Sequence, residues 1–333
     1  MHGRFSIAFL LLVVITGMVQ GGCASRDTRH TTRLKDDYQK RLDKARVAVT
    51  DEVPKSLPEM TAEEHERVGD QYFQQNDLPM AFVHYDKALR MASTKTNLQY
   101  KQGLVFLKRG LAQEALRAFQ DVVKTDDTFA LAHEGMGQAF LLLGDVRAAE
   151  KRFQHAVALD ANLWKSHNFL GMLHDHQERF DAAMAFYKSA IAFEKNNGLL
   201  WNNLGVSYYR KGDYDNAMRT FEKALRMNYT EAKVYNNLGL ALAKLGRYQE
   251  ALIVFTHAGD AAKAHNNLGV IHLAEGRYEE ARAAFTEAMT LSPRYYPTAS
   301  DNLRLAQQAL RALPATADIL SILSGKRGVQ PPR

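Results

Sequence analysis

Histidine is the residue type through which this sequence could most readily carry out chemistry. The 333-residue chain contains 12 histidines, and His167, His174 and His176 lie close together in one short stretch. Imidazole nitrogens can hold a divalent metal ion or transfer a proton. A metal-binding protein or an enzyme built on these three residues is therefore one hypothesis for the function.

The spacing of these histidines favours a different interpretation. His167 and His174 are about two helical turns apart, and no cysteine or carboxylate cluster accompanies them to complete a set of metal ligands. The sequence also contains no glycine-rich phosphate loop, nucleophile elbow or zincin motif. We therefore expect the protein to have no catalytic residues, no bound metal ion and no cofactor.

Asparagine offers a second kind of chemistry, the binding of a peptide backbone. Pairs of asparagines begin at Asn202, Asn236 and Asn266, each directly before Leu-Gly, and Asn168 stands alone at the corresponding position further upstream. An amide side chain both donates and accepts hydrogen bonds, so a row of amides could hold an extended peptide without reading its side chains. The alternative is that these asparagines serve only the stability of the fold.

Two sets of charged residues, one in the upstream half of the chain and one in the downstream half, differ in the sign of their charge. Upstream positions are acidic and downstream positions are basic, which predicts a surface with a charge gradient, suited to an acidic or charge-polarised partner. The alternative is that these are ordinary solvated side chains. The residues are Glu63, Glu66, Asp70 and Glu134 upstream, then Lys165, Arg210, Lys233, Lys244 and Lys263 downstream.

A 34-residue period organises the segments that carry these residues. Glycine recurs at this spacing from Gly69 to Gly239. When that glycine is counted as the eighth place of a unit, alanine recurs at the twentieth place and an aromatic residue at the twenty-fourth. Apolar residues recur every three or four positions on either side of a turn, which predicts a pair of amphipathic helices. One such hairpin cannot bury both apolar stripes, so the units must stack.

This pattern resembles that of the tetratricopeptide repeat. The resemblance covers about residues 62–295 and implies an all-α fold, a right-handed α-solenoid of about seven helix-turn-helix repeats with a capping helix at 296–313. It also implies that the first helix of each repeat lines a concave groove that binds peptides. On this basis the groove residues are Asn168, Asn202, Arg210, Asn236, Lys244 and Asn266.

The resemblance gives the histidines a structural role. The family usually carries Trp or Tyr at the fourth and eleventh places of the repeat. We therefore interpret the histidines found there as aromatic packing residues. They are His133, His167 and His265 at the fourth place, and His174 and His272 at the eleventh.

The sixth unit is shorter than the others. Gly239 and Gly269 are 30 residues apart, and the four missing residues fall after Ala258. Four residues are about one helical turn, so the apolar face returns nearly in phase. We predict a truncated second helix in the sixth repeat and a local change of curvature, which could tune the groove or be a neutral deletion.

Composition limits the remaining classes. The net charge is +6 and the pI about 9.2, and no basic run is interleaved with aromatic residues, so we expect no nucleic-acid binding. Hydrophobic residues make up 46% of the chain, enough to build a core. The only cysteine, Cys23, can form no intramolecular disulfide.

The N-terminus resembles the signal peptide of a bacterial lipoprotein. The apolar run Phe5–Val19 is 15 residues long, short for a membrane span but suited to a signal peptide, and it is followed by the sequence QGGC. The resemblance implies that residues 1–22 are removed and that Cys23 is lipidated. Gln20 departs from the motif, which usually has an aliphatic residue there. An uncleaved anchor and ordinary cleavage with a free thiol are the alternatives.

The flanking segments complete the predicted organisation. Residues 23–61 are predicted to be a polar linker and residues 314–333 a flexible tail. The residues after Cys23 are Ala24 and Ser25, not Asp. By analogy with enterobacterial sorting, this implies a location at the outer membrane, facing the periplasm.

Taken together, the resemblances imply a lipid-anchored scaffold for protein–protein interaction in the bacterial envelope. Its partners would be proteins bound in the groove and the membrane bound through the lipid. Pilus-assembly lipoproteins of the tight-adherence and type IV pilotin kinds look most similar, which implies a role in pilus or secretion-system assembly. An adaptor for peptidoglycan hydrolases is the alternative within the same class.

Overall fold

The computed structural model describes residues 60–292 and 296–312. Every regular element in these residues is an α-helix, which confirms the predicted all-α fold. The predicted signal peptide, Cys23, nearly all of the linker and the tail lie outside the described residues. None of the helices described is long and apolar enough to cross a membrane. The chain divides between Phe193 and Glu194 into two compact units.

The first unit contains four helical hairpins. In each hairpin the two helices pack against each other, and in the first three hairpins the second helix also packs against the first helix of the next hairpin. The hairpins are α1 and α2 (Ala62–Gln74, Leu78–Met91), α3 and α4 (Thr96–Lys108, Ala112–Thr125), α5 and α6 (Ala130–Leu142, Val146–Leu159), and α7 and α8 (Trp164–His176, Phe180–Phe193).

The second unit contains three hairpins and a final single helix. The final helix, α15, packs against both α14 and α13, as the predicted capping helix would. The hairpins are α9 and α10 (Gly198–Lys211, Tyr214–Arg226), α11 and α12 (Ala232–Lys244, Tyr248–Ala258), and α13 and α14 (Ala261–Ala274, Tyr278–Leu291), and α15 is Pro297–Ala312.

The eighth-place glycine lets the two helices of a hairpin enclose an aromatic ring. A Cβ atom on Gly239 would lie 2.4 Å from the Phe255 ring, and one on Gly205 would lie 2.6 Å from the Phe221 ring. Each of these rings thus packs against the glycine of its own hairpin. Phe119 also packs against the next hairpin, because a Cβ atom on Gly135 would lie 2.5 Å from it.

The turn within each hairpin requires a left-handed backbone at the fifteenth place. Five repeats have glycine there, with φ between 74° and 90°. The other two repeats have Asn76 and Glu178, with φ of 61° and 59°. Asparagine tolerates this conformation, whereas glutamate does so at a cost of roughly 1–2 kcal/mol. The repeat geometry therefore overrides the local preference of Glu178.

Glu178→Gly is expected to stabilise the protein by about 1 kcal/mol, because glycine relieves this strain and Glu178 is exposed. Chemical denaturation measures the change. The reciprocal Gly144→Glu variant is the matched control and should destabilise by a similar amount. Equal stability of wild type and Glu178→Gly would contradict the explanation.

The second helices begin at aspartate in three repeats. The carboxylates of Asp77, Asp145 and Asp213 accept hydrogen bonds from backbone N–H groups in the first turns of their helices, at 2.9 to 3.2 Å. This satisfies donors that have no partner within the helix.

The sixth repeat has the predicted short second helix. Helix α12 contains 11 residues, whereas the second helices of the other repeats contain 13 or 14. It ends at Gly259, and Asp260 then caps α13 by accepting a hydrogen bond from the Lys263 backbone N–H at 2.7 Å. The second helix is thus about one turn shorter, and the next helix begins almost directly after it.

Candidate functional site

Two of the fourth-place histidines, His133 and His167, reproduce the contact made by a tryptophan. Trp201 Nε1 donates a hydrogen bond to the backbone carbonyl six residues upstream, at 2.9 Å. His133 and His167 each donate through Nε2 to the carbonyl six residues upstream, both at 3.0 Å. These histidines therefore serve as the aromatic packing residues that the sequence predicted.

The eleventh-place histidines are also packed against aromatic rings. His174 stacks on Phe186 with ring centroids 5.0 Å apart, and His272 lies 4.7 Å from the ring of Tyr248. Burial lowers the pKa of both histidines, so both are neutral at pH 7. His176, in contrast, is exposed.

The structure gives the proposed histidine metal site no third ligand. Across residues 60–292 and 296–312, no group of three or more His, Cys, Asp or Glu side chains lies close enough to hold an ion. His167 and His174 each serve an aromatic contact with a different ring of α8, Phe193 and Phe186. The geometry therefore supports packing as their role.

The asparagine pairs join consecutive repeats in the second unit. In each case the second asparagine of one repeat, or of the final helix, donates through Nδ2 to the Oδ1 atom of the first asparagine in the preceding repeat. We call each of these bonds an amide rung. The three rungs run from Asn237 to Asn202 at 3.0 Å, from Asn267 to Asn236 at 3.3 Å and from Asn302 to Asn266 at 3.1 Å.

The rungs engage the oxygen end of the amide in the first asparagine of each pair. The Oδ1 atoms of the first asparagines accept from the next repeat, so their acceptor capacity is partly used within the fold. Among the described residues, the Nδ2 groups of Asn236 and Asn266 make no hydrogen bond. The row therefore stabilises the stacking of repeats, and the Nδ2 group of the partly exposed Asn236 keeps its capacity to donate, whereas Asn266 is buried.

Between the first and second repeats, an ion pair takes the place of an amide rung. Lys101 lies at the sixth place of the second repeat, and its Nζ atom is 2.6 Å from Glu66 and 2.8 Å from Asp70 in the first repeat. Both acidic residues were predicted to give this surface its negative charge. Because they share one lysine, one of their two negative charges is offset within the fold.

Glu134 is a buried carboxylate beside the start of α7. Its Oε2 atom accepts a hydrogen bond from the Ser166 hydroxyl at 2.8 Å, and burial raises its pKa. Leu163, at the N-cap of α7, provides no side-chain hydrogen bond. A carboxylate near a helix N-terminus is favourable, so Glu134 has a structural role between repeats.

The basic residues of the second unit are also paired. The closest oxygen of Glu231 lies 2.9 Å from Lys233, and Glu275 lies 3.6 Å from Lys244. Lys263 pairs with the capping residue Asp260 at 3.2 Å. The charge gradient predicted for this surface is thus reduced by pairs within the fold. Arg210 lies exposed at the end of α9.

An apolar line runs beside the amide rungs. The ninth place of each first helix lies one turn after the fifth, on the same side of the helix, and it carries Val206, Leu240 and Val270 in α9, α11 and α13. Leu305 has the equivalent place in α15. Val270 is 37% exposed and Leu305 52% exposed. Because α9, α11, α13 and α15 contact one another in order, we call this side, with its rungs, the first-helix face.

The structure thus brings three of the predicted groove residues together and adds others. Asn202, Asn236 and Asn266 are linked through the rungs, whereas Asn168 lies in the first unit. The sequence interpretation missed the partners Asn237, Asn267 and Asn302, although each lies at the sixth place of its helix. Their spacing from the acceptors, 31 to 36 residues, is close to one repeat, which is the signal that could have identified them.

Sequence profiles assign this architecture to a family. Profiles described as tetratricopeptide repeat match residues 100–162, 134–197 and 202–258, and also 262–295. These matches together span more than half of the chain. The chain belongs to the tetratricopeptide repeat (TPR) family. No curated protein sequence matches it.

Solved structures share the fold of this TPR protein. The C-terminal part of a TPR protein from Cytophaga hutchinsonii is 17% identical over 71% of this chain and 98% of its own, with a TM-score of 0.55. A TPR protein from Parabacteroides merdae is 17% identical over 74% of this chain and 98% of its own (TM-score 0.49). A chain of an APC/C hetero-tetramer is 22% identical over 74% of this chain and 52% of its own (TM-score 0.50).

At these identities the likeness concerns the fold. TPR proteins are in general non-enzymatic scaffolds that bind other proteins, and no catalytic family is indicated for this chain. The family therefore establishes the kind of protein, a scaffold for protein–protein interaction, and leaves the partner to be argued from the residues of the chain.

Proposed function

We propose that the first-helix face of residues 198–312 binds an extended segment of a partner protein. The observation that supports this best is the apolar line at the ninth place, which stays open to solvent at Val270 and Leu305. Apolar side chains that are regularly spaced along a stacked array can receive alternate side chains of an extended peptide. On this proposal the surface acts as the concave groove of the TPR scaffold.

The chemistry of this surface favours a largely uncharged segment. The Nδ2 group of Asn236, which is partly exposed, can donate a hydrogen bond to a peptide carbonyl one turn away from the apolar line. The lysines nearby already have carboxylate partners at 2.9 to 3.6 Å. Backbone carbonyls and apolar side chains of the partner would thus supply most of the recognition, and Arg210 and Lys244 would lie at its margin.

Charge substitutions on the two exposed apolar residues test this proposal. Val270→Glu and Leu305→Glu are each expected to reduce recovery of the bound partner from envelope fractions at least about tenfold, because a buried unpaired carboxylate costs several kcal/mol. Neither side chain is needed for the core, so circular dichroism spectra should stay unchanged.

Ile253→Glu is the matched control for this experiment. Ile253 is 61% exposed, but it lies on the second helix α12, outside the first-helix face. The control should leave recovery unchanged. Equal recovery with all three variants would contradict binding at the first-helix face.

We further propose that the array is tethered to the bacterial envelope by lipid at Cys23, as an outer-membrane lipoprotein facing the periplasm. The support is the sequence QGGC after the apolar run Phe5–Val19. Two or more acyl chains give stable membrane attachment. Palmitate labelling of cells should label the wild type and not Cys23→Ala. An unlabelled wild type would contradict the anchor without affecting the groove proposal.

A tethered TPR scaffold of this kind suits the assembly of a pilus or a secretion system, and we propose that class of pathway. The support is the combination of the lipoprotein-like N-terminus with a repeat array in which AAKAHNNLGVIHLAEGRYEEA follows a shortened repeat. Mass spectrometry of the crosslinked partners decides between this pathway and the peptidoglycan-hydrolase alternative.

A further inference from the structure

The first repeat brings two histidines together nitrogen to nitrogen. His65 lies on α1 and His84 on α2, and their Nδ1 atoms are 3.0 Å apart. The ring centroids are 5.2 Å apart and the ring planes are inclined by 50°. The Nδ1 atoms of this pair face each other, whereas His133 and His167 turn a ring nitrogen toward a backbone carbonyl. This pair has no role in the proposed function.

The protonation of the two rings allows two arrangements. In one, a proton on either Nδ1 atom makes a hydrogen bond to the other. In the second, both protons are on Nε2, and both Nδ1 lone pairs are free to bind a cation. The buried nitrogens without a partner include Nδ1 of His133, His174 and His272 but no nitrogen of His65 or His84. The Nε2–H groups of this pair can therefore reach hydrogen-bond partners or solvent. The arrangement with both protons on Nε2 is thus possible.

The separation of the two lone pairs fits a metal ion. With metal–nitrogen bonds of about 2.0–2.1 Å, nitrogens 3.0 Å apart subtend about 95° at the ion. This is close to the angle between adjacent ligands in square-planar or octahedral coordination, which Ni²⁺ and Cu²⁺ prefer. A tetrahedral zinc site would need the nitrogens farther apart, at about 3.4 Å.

The surroundings hold both rings in place. His65 is 9% exposed, and the ring of Tyr72 stacks on His84 with centroids 5.5 Å apart. Glu64 and Lys87 are the charged groups near His65, and their effects on a cation oppose each other. Burial lowers the pKa of both histidines, so both are neutral, as metal ligands must be, at pH 7.

We propose that His65 and His84 form a two-histidine site for a divalent ion of the Ni²⁺ or Cu²⁺ type. Water completes the coordination shell, since the protein supplies only two ligands. The bound ion connects α1 to α2 and thereby stabilises the repeat at the N-terminal end of the described array. The site is separate from the first-helix face of the second unit, so its failure would leave the proposed partner binding untouched.

Calorimetric titration of the tag-free full-length protein with Ni²⁺ at pH 7.5 tests this site. One equivalent is expected to bind with micromolar affinity. His65→Gln and His84→Gln should each weaken binding at least about tenfold, because each removes one of two ligands. His176→Gln, which removes an exposed histidine outside the site, should leave the affinity unchanged. Thermal melts without metal check that each variant is folded.

Two results would overturn the proposal. One is the absence of saturable binding, which leaves only the hydrogen bond between the rings. The other is an affinity that falls with His176→Gln and not with His84→Gln. A measurement on the wild type avoids any dependence on variant folding: the electron paramagnetic resonance spectrum of bound Cu²⁺ should show coupling to two nitrogens, and a spectrum without nitrogen coupling contradicts the site.

Discussion

Gly239→Ala is expected to lower the free energy of unfolding by about 1–3 kcal/mol, the usual cost of overpacking a core. Intrinsic helix propensity alone predicts the opposite sign, because alanine is favoured over glycine by about 1 kcal/mol inside a helix. The added Cβ atom would lie 2.4 Å from the Phe255 ring, which is 1% exposed and has no room to move. Urea denaturation monitored by circular dichroism measures the change.

The double variant Gly239→Ala/Phe255→Leu is the control for this interpretation. A smaller residue at Phe255 removes the clash, so the two substitutions together should cost less than the sum of their separate effects. Additive effects would show that the ring is not what opposes the methyl group. A more stable Gly239→Ala variant would show that the helices can separate.

Acidification is expected to destabilise the protein between about pH 6.5 and pH 4. Burial lowers the pKa of five histidines, and that of His84 falls to about 4. The unfolded chain therefore binds more protons than the folded chain in this window, and stability is lost as the pH falls through it. The five are His65, His84, His133, His174 and His272.

The size of this effect is set mainly by His84. Its shift corresponds to at most about 3 kcal/mol, which solvent screening reduces because the side chain is only half-buried. Glu134 acts in the opposite direction, because burial raises its pKa. Exposed carboxylates with lowered pKa values, such as Glu250, contribute only below about pH 4.5. The histidine window is therefore separable from general acid denaturation.

Denaturation curves at several pH values measure this dependence. His84→Gln should lose less stability than the wild type between pH 7 and pH 4, whereas the exposed His176→Gln should follow the wild type. Parallel curves for wild type and His84→Gln would contradict the assignment of the loss to the buried pair.

The parts of the fold that repeat were predictable from the sequence. The 34-residue period located every hairpin, and the turn glycines and Asp213 marked where second helices begin. The short α12 followed from the missing residues after Ala258. These features were predictable because most of them recur at a fixed place, so that each repeat is a further instance of the same residue pattern.

Single departures from the repeat were harder to predict. Glu178 adopts a left-handed backbone although its side chain disfavours it, because the surrounding hairpin fixes the turn. His65 and His84 meet because the fourth and twenty-third places face each other across one hairpin. No other repeat has histidine at both of these places. A pair that occurs only once produces no periodic signal in the sequence.

The hydrogen bonds of the candidate surface were not predicted. The sequence interpretation assigned Asn202, Asn236 and Asn266 to a groove, and in the structure Asn202 and Asn266 are buried. The rungs could not be predicted, because a hydrogen bond between residues one repeat apart depends on how far successive helices are rotated. The same rotation determines the pairing of Lys101 with two carboxylates.

Site-specific photocrosslinking tests the central claim most directly. A photoreactive phenylalanine analogue is placed at Leu305 in one protein, at Val270 in a second and at Ile253 in a third, and each is irradiated in intact cells. Binding at the first-helix face predicts the same partner adduct from Leu305 and Val270 and none from Ile253. Adducts from Ile253 alone, or equally from all three positions, would contradict it.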